Sequence, residues 1–137
     1  MTFSNKTEYI RYRLDTSYTT FEAARVLADN GFWNSAVNRL YYSVFYAVSA
    51  LLVVHDILTK THSAVKCQFS LHFVKTGVFD KKYGQLLSEL FDWRQKGDYE
   101  NIFEYDQESV EPLFIPVKEM LDLIRHIDIL QFEGGNG

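Results

Sequence analysis

The sequence is poor in the residues that interrupt or cross-link a polypeptide. Its 137 residues include two prolines, seven glycines and one cysteine, Cys67. A single cysteine excludes an internal disulfide framework and the cysteine pairs of the common zinc sites. Cys67 stands in an apolar run, where we expect it to be a buried small hydrophobe. This cysteine usage fits a reducing compartment.

An excess of positive charge is also missing, because the formal net charge is −4. Broad, non-specific nucleic-acid binding needs a cationic face that releases counterions. The charge balance therefore argues against that class of protein, although it leaves room for a local basic site.

Neither a long hydrophobic run nor a hydrophobic leader is evident. The longest apolar stretch, residues 44–54, is interrupted by Ser49 and is shorter than the span of a bilayer. The first ten residues are polar and lack the apolar region of a signal peptide. We therefore expect a soluble, cytoplasmic protein with no membrane partner.

What the chain does contain is aromatic mass at helical spacing. It has eleven Phe, nine Tyr and two Trp, and 47% of its residues are hydrophobic. Apolar residues recur every three or four positions, and the alternation typical of strands is nearly absent. The pattern predicts an all-α fold, an antiparallel up-and-down bundle of about five helices. We expect one domain over residues 1–137, with its core at about 8–131 and a disordered glycine-rich tail at 134–137.

Local signals predict where the first three helices begin and end. The first helix should end at Asn30-Gly31, because glycine accepts the left-handed conformation of a helix C-terminus. The second should start near Asn34 or Ser35. It is apolar almost all round, so it is either central in the bundle or buries a second face in an oligomer. Residues 55–61 are predicted to form a loop, and Thr59 or Thr61 should cap the third helix.

The second half of the chain is marked by turn residues and prolines. The fourth helix should start near Asp80, and residues 96–105 are predicted to form a turn region around Gly97-Asp98. Ser109 is the predicted cap of the last helix. Pro116 should bend that helix, because proline lacks a backbone donor and clashes with the preceding turn.

Standard catalytic motifs are not found in the sequence. It has no glycine-rich phosphate loop and no His-Glu-x-x-His, and its four histidines do not have the spacing of metal ligands on one helix. We therefore predict neither a cofactor nor a metal. The four histidines are His55, His62, His72 and His126.

Three short segments carry the candidate site: Arg39 to Tyr42, Thr61 to Ser63, and Arg94 to Tyr99. The apolar stripe of the fourth helix continues to Arg94, so this side chain should point toward the bundle. In an up-and-down bundle the second and fourth helices run the same way, which separates Arg39 from Arg94. A contact between them would then form across a two-fold dimer axis.

These residues could instead have a purely structural role. Arg94 and Asp98 are four residues apart, the spacing of an ion pair within one helix. Such a pair would cap the helix end and shield a half-buried guanidinium. Tyr41 and Tyr42 would then be core residues with hydrated hydroxyl groups.

Four segments resemble, in order, the motifs of one family. Ala36-Val-Asn-Arg39-Leu-Tyr41-Tyr42-Ser-Val-Phe45-Tyr46-Ala47 is similar to R-x-Y-Y-x-x-F/Y-x-A, and Lys60-Thr61-His62-Ser63 to K-T-H-S-G, with Ala64 in place of the glycine. Phe73-Val-Lys-Thr-Gly77 matches F-V-K-T-G, and Arg94-Gln-Lys-Gly-Asp98-Tyr99 matches R-x-x-x-D-Y. Over about residues 10–130 the chain resembles the small, stand-alone HEPN proteins.

The resemblance implies a helical bundle that usually dimerises. Many members are encoded beside a minimal nucleotidyltransferase in toxin–antitoxin pairs, which makes such an enzyme the expected partner. Several branches are metal-independent ribonucleases that use an arginine followed, after four to six residues, by a histidine. No arginine of this sequence has a histidine in that window, and Tyr99 takes the position after Arg94.

The motif's absence favours a binding or regulatory HEPN-like protein over an enzyme. It would bind nucleotide or RNA through arginines that pair with phosphate and tyrosines that stack on bases. The predicted binding residues are Arg39, Tyr42, His62, Arg94, Asp98 and Tyr99.

Three further hypotheses follow from the same residues. His62 and Arg94 would be the catalytic candidates of a metal-independent ribonuclease toxin with an atypical site. Alternatively, the chain is a purely structural dimeric interaction protein in which Arg94, Asp98 and Tyr99 only pack. The resemblance also makes Tyr99 a candidate for AMP addition by a partner nucleotidyltransferase.

Overall fold

The computed structural model describes residues 5–99 and 103–135, with side chains as far as residue 127. Within those ranges every regular element is helical, which confirms the predicted all-α bundle. A π-helical turn, Ser70–Val74, extends α3, and a 3₁₀ turn, Glu111–Leu113, joins α5 to α6. The helices are α1 (Lys6–Asp29), α2 (Trp33–Val54), α3 (His62–Phe69), α4 (Lys81–Tyr99), the short α5 (Gln107–Val110) and α6 (Phe114–Gly135).

Side-chain caps and one glycine explain several of these ends. Gly31 adopts φ +81°, the left-handed conformation expected of it after α1. Thr61 caps α3, because its hydroxyl accepts a hydrogen bond from the backbone N–H of Ala64 at 3.0 Å. The prediction that Ser109 caps the last helix is wrong: Ser109 lies within the short helix α5, which is capped by Asp106, whose carboxylate accepts from the Ser109 N–H at 2.9 Å.

Helix α2 is the centre of the bundle. It packs against α1, α3, α4 and α6, which explains why it is apolar almost all round. Because it begins at Trp33, α2 is also longer than the apolar run seen in the sequence, and its length and composition would allow a membrane span. However, 61% of that apolar window is buried inside the bundle.

The connection of residues 55–61 decides the direction of α4. After α2, Asp56 takes φ +59°, and its carboxylate pairs with the Lys6 ammonium at 2.7 Å. The chain then runs back along α2, so that His62 stacks on Phe45, in the middle of that helix. Helix α3 returns toward the end of α2, where Phe73 contacts His55.

As a result α4 runs antiparallel to α2. The end of α4 meets the start of α2, where Asn38 donates a hydrogen bond to Asp98 at 2.8 Å. The expectation that the second and fourth helices run the same way is therefore wrong. That expectation assumed that each helix reverses the direction of the previous one. Residues 55–61 also run along α2 without being helical, and this additional reversal makes α4 antiparallel to α2.

Helix α4 continues through Tyr99, so the predicted turn at residues 96–105 is wrong for its first four residues. Gly97 had suggested the turn, but its role here is close packing. A Cβ atom at Gly97 would lie 3.3 Å from the Tyr105 ring and 3.6 Å from the Asn34 side chain. The glycine therefore allows a close approach within a continuing helix.

Two other expectations are corrected by helix geometry. Cys67 is exposed, because Val65 and Phe69 occupy the inward positions on either side of it. Pro116 does not bend the middle of the last helix, because α6 begins only at Phe114 and the proline lies in its first turn. A proline is tolerated there because first-turn N–H groups lack an acceptor within their own helix.

The backbone of α6 is helical as far as Gly135, so it includes the first half of the tail predicted to be disordered. Residues 136 and 137 lie outside the described residues, as does the stretch 100–102 between α4 and α5.

Asn34 joins the end of α4 to the segment before α5. Its side-chain amide donates to the Phe103 carbonyl at 2.8 Å, and its side-chain oxygen accepts from the Tyr105 N–H at 2.8 Å. A longer contact of 3.5 Å reaches the Gly97 carbonyl. One side chain on α2 thus satisfies backbone groups on both sides of residues 100–102.

We predict that Asn34→Ala lowers the free energy of unfolding by about 1–3 kcal/mol, because part-buried backbone groups lose their partners. Chemical denaturation of the two proteins measures this difference. Asn30→Ala is the matched control, since Asn30 is exposed and its side-chain amide donates to the Val26 carbonyl of the preceding helix α1. Equal losses for the two substitutions would contradict the role assigned to Asn34.

Candidate functional site

Arg94 is a buried cation surrounded by aromatic rings. Its residue surface is 8% exposed, which confirms that it points into the bundle. The guanidinium carbon lies 4.9 Å from the ring centroid of Tyr41, 5.7 Å from that of Tyr42 and 5.8 Å from that of Phe91. Such cation–π contacts stabilise a charge without neutralising it.

No carboxylate of the described residues forms an ion pair with Arg94, and its buried Nε has no hydrogen-bond acceptor there. The alternative in which Asp98 pairs with Arg94 is therefore wrong. Asp98 instead accepts a hydrogen bond from Asn38 at 2.8 Å. Because buried charges in proteins are normally paired, this guanidinium is an exception that calls for an explanation.

Arg39 reaches the same tyrosine ring as Arg94 within one chain. Its guanidinium carbon lies 5.1 Å from the Tyr42 centroid, and its Nε and Nη2 donate to the Asn38 side-chain oxygen at 3.0 and 2.7 Å. The antiparallel course of α2 and α4 brings the two arginines together, so no dimer axis is needed for this contact.

His62 completes the group from the start of α3. Its ring stacks on Phe45 with centroids 4.3 Å apart, and its Nδ1 lies 2.6 Å from the Tyr41 hydroxyl oxygen. Burial, followed by the positive charge of Arg94, lowers the pKa of His62 from its ordinary value of 6.5. The imidazole is therefore neutral at pH 7.

The bond to Tyr41 indicates which imidazole nitrogen carries the proton. Burial is the main cause that raises the pKa of Tyr41, so its phenol stays protonated at neutral pH. The hydroxyl is buried, and His62 is its hydrogen-bond partner among the described residues. The arrangement that leaves no buried donor unsatisfied has the Tyr41 O–H donating to Nδ1, which keeps the His62 proton on Nε2.

We call Arg39, Tyr41, Tyr42, His62 and Arg94 the Arg94 cluster. Of the other residues predicted for the site, Asp98 is linked to the cluster through Asn38. Tyr99 is the last residue of α4 and is 73% exposed, so it lies at the edge of the site and faces solvent.

The binding prediction left out Asn38, Tyr41 and Phe45. Their spacing of three and four residues puts them on one face of α2, and that face meets α3 and α4. This spacing was visible in the sequence, but the helices that would cover the face were not.

Within the part of the chain that the structure describes, no group of three or more His, Cys, Asp or Glu residues is arranged to hold a metal ion. The side chains of the cluster are donors and aromatic rings. Their chemistry suits an anion with a planar group attached.

Comparison with known proteins gives the family. The HEPN domain matches residues 10–127, a range that includes the whole Arg94 cluster. The chain belongs to the HEPN family. A UPF0332 protein of Thermotoga maritima is 34% identical over 124 residues, which cover 90% of this chain and 94% of the relative.

Two HEPN relatives from Methanocaldococcus jannaschii are named putative toxins. One is 35% identical over 100 residues, covering 73% of this chain and 68% of the relative. The other is 28% identical over 118 residues, covering 86% and 87%. This HEPN chain is thus similar, over 73% and 86% of its length, to two proteins that are named putative toxins.

The electrostatic coupling between Arg94 and His62 can be tested directly. We predict that Arg94→Gln raises the pKa of His62, because the substitution removes the positive charge that disfavours the imidazolium. An NMR titration of the His62 ring protons measures the change. Arg39→Gln is the control, since Arg39 does not contribute to the shift. A pKa that stays constant in Arg94→Gln would contradict this coupling.

Proposed function

We propose that this HEPN protein is a binding or regulatory component of a toxin–antitoxin type system, and that the Arg94 cluster binds the phosphate of a nucleotide or RNA. The observation that carries the proposal is the buried guanidinium of Arg94, for which the described residues provide no carboxylate partner. Burying an unpaired charge costs free energy, so a ligand anion that completes the pair would explain why an arginine stands there.

The geometry of the cluster fits a phosphate that carries a nucleobase. Two guanidinium groups approach the Tyr42 ring, one from α2 and one from α4. Arginine forks match phosphate oxygens with two parallel hydrogen bonds. Tyr42 is only half-buried, so part of its ring is available to stack on a nucleobase.

The toxin–antitoxin assignment draws support from the relatives named putative toxins. A homodimer, a nucleotidyltransferase partner and a cytoplasmic location belong to the same proposal and rest on the family resemblance. The apolar character of α2 adds nothing to the case for a dimer, because the other helices of the chain already cover that helix.

We predict that Arg94→Met weakens AMP binding by roughly 10- to 100-fold, the value of one or two charge-assisted hydrogen bonds. The same substitution should leave the melting temperature unchanged or raise it, because it replaces a buried unpaired charge by an apolar side chain. Calorimetric titration and thermal unfolding measure the two effects. Adenosine, which lacks the phosphate, should bind both proteins equally.

The control for this experiment is Arg25→Met. Arg25 pairs with Glu111 at 2.6 Å and Asp29 at 2.8 Å, away from the cluster. Its loss should lower stability without changing AMP binding. A lower melting temperature for Arg94→Met together with unchanged AMP binding would instead support a purely structural protein.

Metal-independent RNA cleavage is the second candidate function. The proximity of His62 to Arg94 favours it, because both contact the ring of Tyr41 and both would lie near a bound phosphate. The proton on Nε2 argues against it, since a general base needs an unprotonated nitrogen free to face the 2′-hydroxyl.

We therefore expect no RNA cleavage by the purified protein in the presence of EDTA. The assay includes Arg94→Ala and His62→Ala beside the wild type, with gel analysis of several RNA substrates. Cleavage that persists in EDTA and is lost in either variant would establish a ribonuclease with a rearranged site and overturn the leading proposal.

Tyr99 is the proposed site of AMP addition by a partner nucleotidyltransferase. Its exposure of 73% leaves the phenol accessible to another protein. Intact mass after incubation with the partner and ATP should show one added AMP, and Tyr99→Phe should abolish it. Modification that persists in Tyr99→Phe would place the reaction on another residue.

A further inference from the structure

A second cationic site lies next to the Arg94 cluster. It is a cleft of about 370 Å³ between α1, the second half of α2 and the connection that leads into α3. We call it the α1–α3 cleft. Arg13 and Lys60 supply positive charge, Phe45 and Val53 supply apolar wall, and no described lining residue is an aspartate or glutamate. Its volume is within the range of sites for small organic ligands.

Arg13 is held in the cleft by aromatic rings and forms no ion pair with a described residue. Its guanidinium carbon lies 5.3 Å from the Tyr9 centroid and 5.2 Å from the Tyr46 centroid, and its Nε donates to the Tyr9 hydroxyl at 3.0 Å. On the same helix, Lys6 and Arg25 are both paired with carboxylates. Arg13 therefore keeps N–H donors that a ligand oxygen can accept from.

An aromatic strip, formed by Tyr42, Phe45, Tyr46 and His62, connects this cleft to the Arg94 cluster. The Tyr42 and Tyr46 centroids are 5.8 Å apart, and Phe45 stacks on His62. Tyr42 is also in contact with Arg39 and Arg94. Cations thus lie at both ends of a continuous run of rings.

The length of this surface is set by the rise of α2. From Arg39 to Ser49, which lines the cleft, the helix advances about 15 Å. A single nucleotide is too short to place phosphate at both ends, whereas two or three linked nucleotides can. Proteins that bind single strands use this combination of cations for the phosphates and rings for the bases.

We propose that the Arg94 cluster and the α1–α3 cleft form one binding surface for a single-stranded oligonucleotide of two or three residues. One phosphate binds Arg39 and Arg94, another binds Arg13 and Lys60, and the bases between them stack on the aromatic strip. The inference rests on the proposed function, because it takes the Arg94 cluster as one phosphate site.

The carboxylate of Asp98 reduces the positive charge at the Arg39 end of this surface. It lies beside Arg39, with Asn38 bonded to both residues. Its carboxylate repels a bound phosphate, so the surface is a short path between local cations and not a uniformly basic groove. The net charge of −4 is consistent with a ligand of limited length.

Uridine oligonucleotides of one, two, three and six residues, each with a 5′-phosphate, test the length dependence. We expect affinity to rise roughly tenfold or more from the mononucleotide to the trinucleotide, through an added phosphate contact and stacked bases, and then to level off. Fluorescence anisotropy competition at fixed salt concentration measures each affinity.

Variants at one end of the surface separate this proposal from the proposed function. Arg13→Gln should remove most of the gain between the mononucleotide and the trinucleotide, so it should weaken trinucleotide binding far more than mononucleotide binding. Arg11→Gln is the matched control, because Arg11 is exposed on the same helix and does not line the cleft. Asp98→Asn should strengthen binding of every length.

Three results would overturn the proposal. Equal affinities for the mononucleotide and the trinucleotide would restrict binding to the Arg94 cluster and leave the proposed function standing. Equal effects of Arg13→Gln and Arg11→Gln would remove the cleft from the binding surface. If no uridine ligand bound, and AMP binding were also absent, both the extended surface and the proposed function would fall.

Discussion

The structure depends on the burial of α2. Ala36, Val37, Leu40, Val44 and Leu51 are 0% exposed, and covering them requires neighbours on several sides of one helix. The chain supplies these neighbours in order: α1 as a hairpin partner, then α3, α4 and finally α6. Burial of this much apolar surface is the dominant favourable contribution to folding. The exposed and half-buried polar residues of α2 consequently lie along one stripe, which carries Arg39 and Tyr42, whereas Ser43 is buried and donates its hydroxyl to the Leu40 carbonyl at 2.7 Å.

The packing of α3 and α4 on α2 also explains how the Arg94 cation comes to lie among aromatic rings. Arg94 continues the apolar stripe of α4 and is carried into the region where α4 meets α2 and α3. The rings of Tyr41, Tyr42 and Phe91 lie within about 6 Å of its guanidinium carbon. Each such contact contributes about 0.5–2 kcal/mol and offsets part of the cost, on the order of several kcal/mol, of burying an ion without a counter-ion. The phosphate ligand proposed for this site would supply the counter-ion that the described residues do not provide.

Different parts of the site were predictable to different degrees. The inward direction of Arg94 followed from the spacing of Leu87, Leu90 and Phe91. The sequence offered Thr59 and Thr61 as caps of the third helix, and the structure shows that Thr61 is the cap. The prediction that Arg39 and Arg94 are separated within one chain was wrong, because both guanidinium groups lie near the ring of Tyr42. The predicted turn at Gly97 was also wrong. A glycine before an aspartate is typical of a turn, whereas Gly97 lies within α4 and permits close packing against Asn34 and Tyr105. A residue chosen for close tertiary approach carries no local sign of its neighbour.

The sequence by itself determined the helices, their inward faces and most of their ends, because these depend on interactions between residues at most four positions apart. It also carried the motifs of the HEPN family in order. Only the tertiary structure decided that Arg39, His62 and Arg94 meet around Tyr41 and Tyr42. That meeting depends on the path of residues 55–61, which run back along α2 and so reverse the direction of α4 relative to α2. Periodicity records which face of a helix is buried, but it contains no information on which helix covers that face or in which direction it runs.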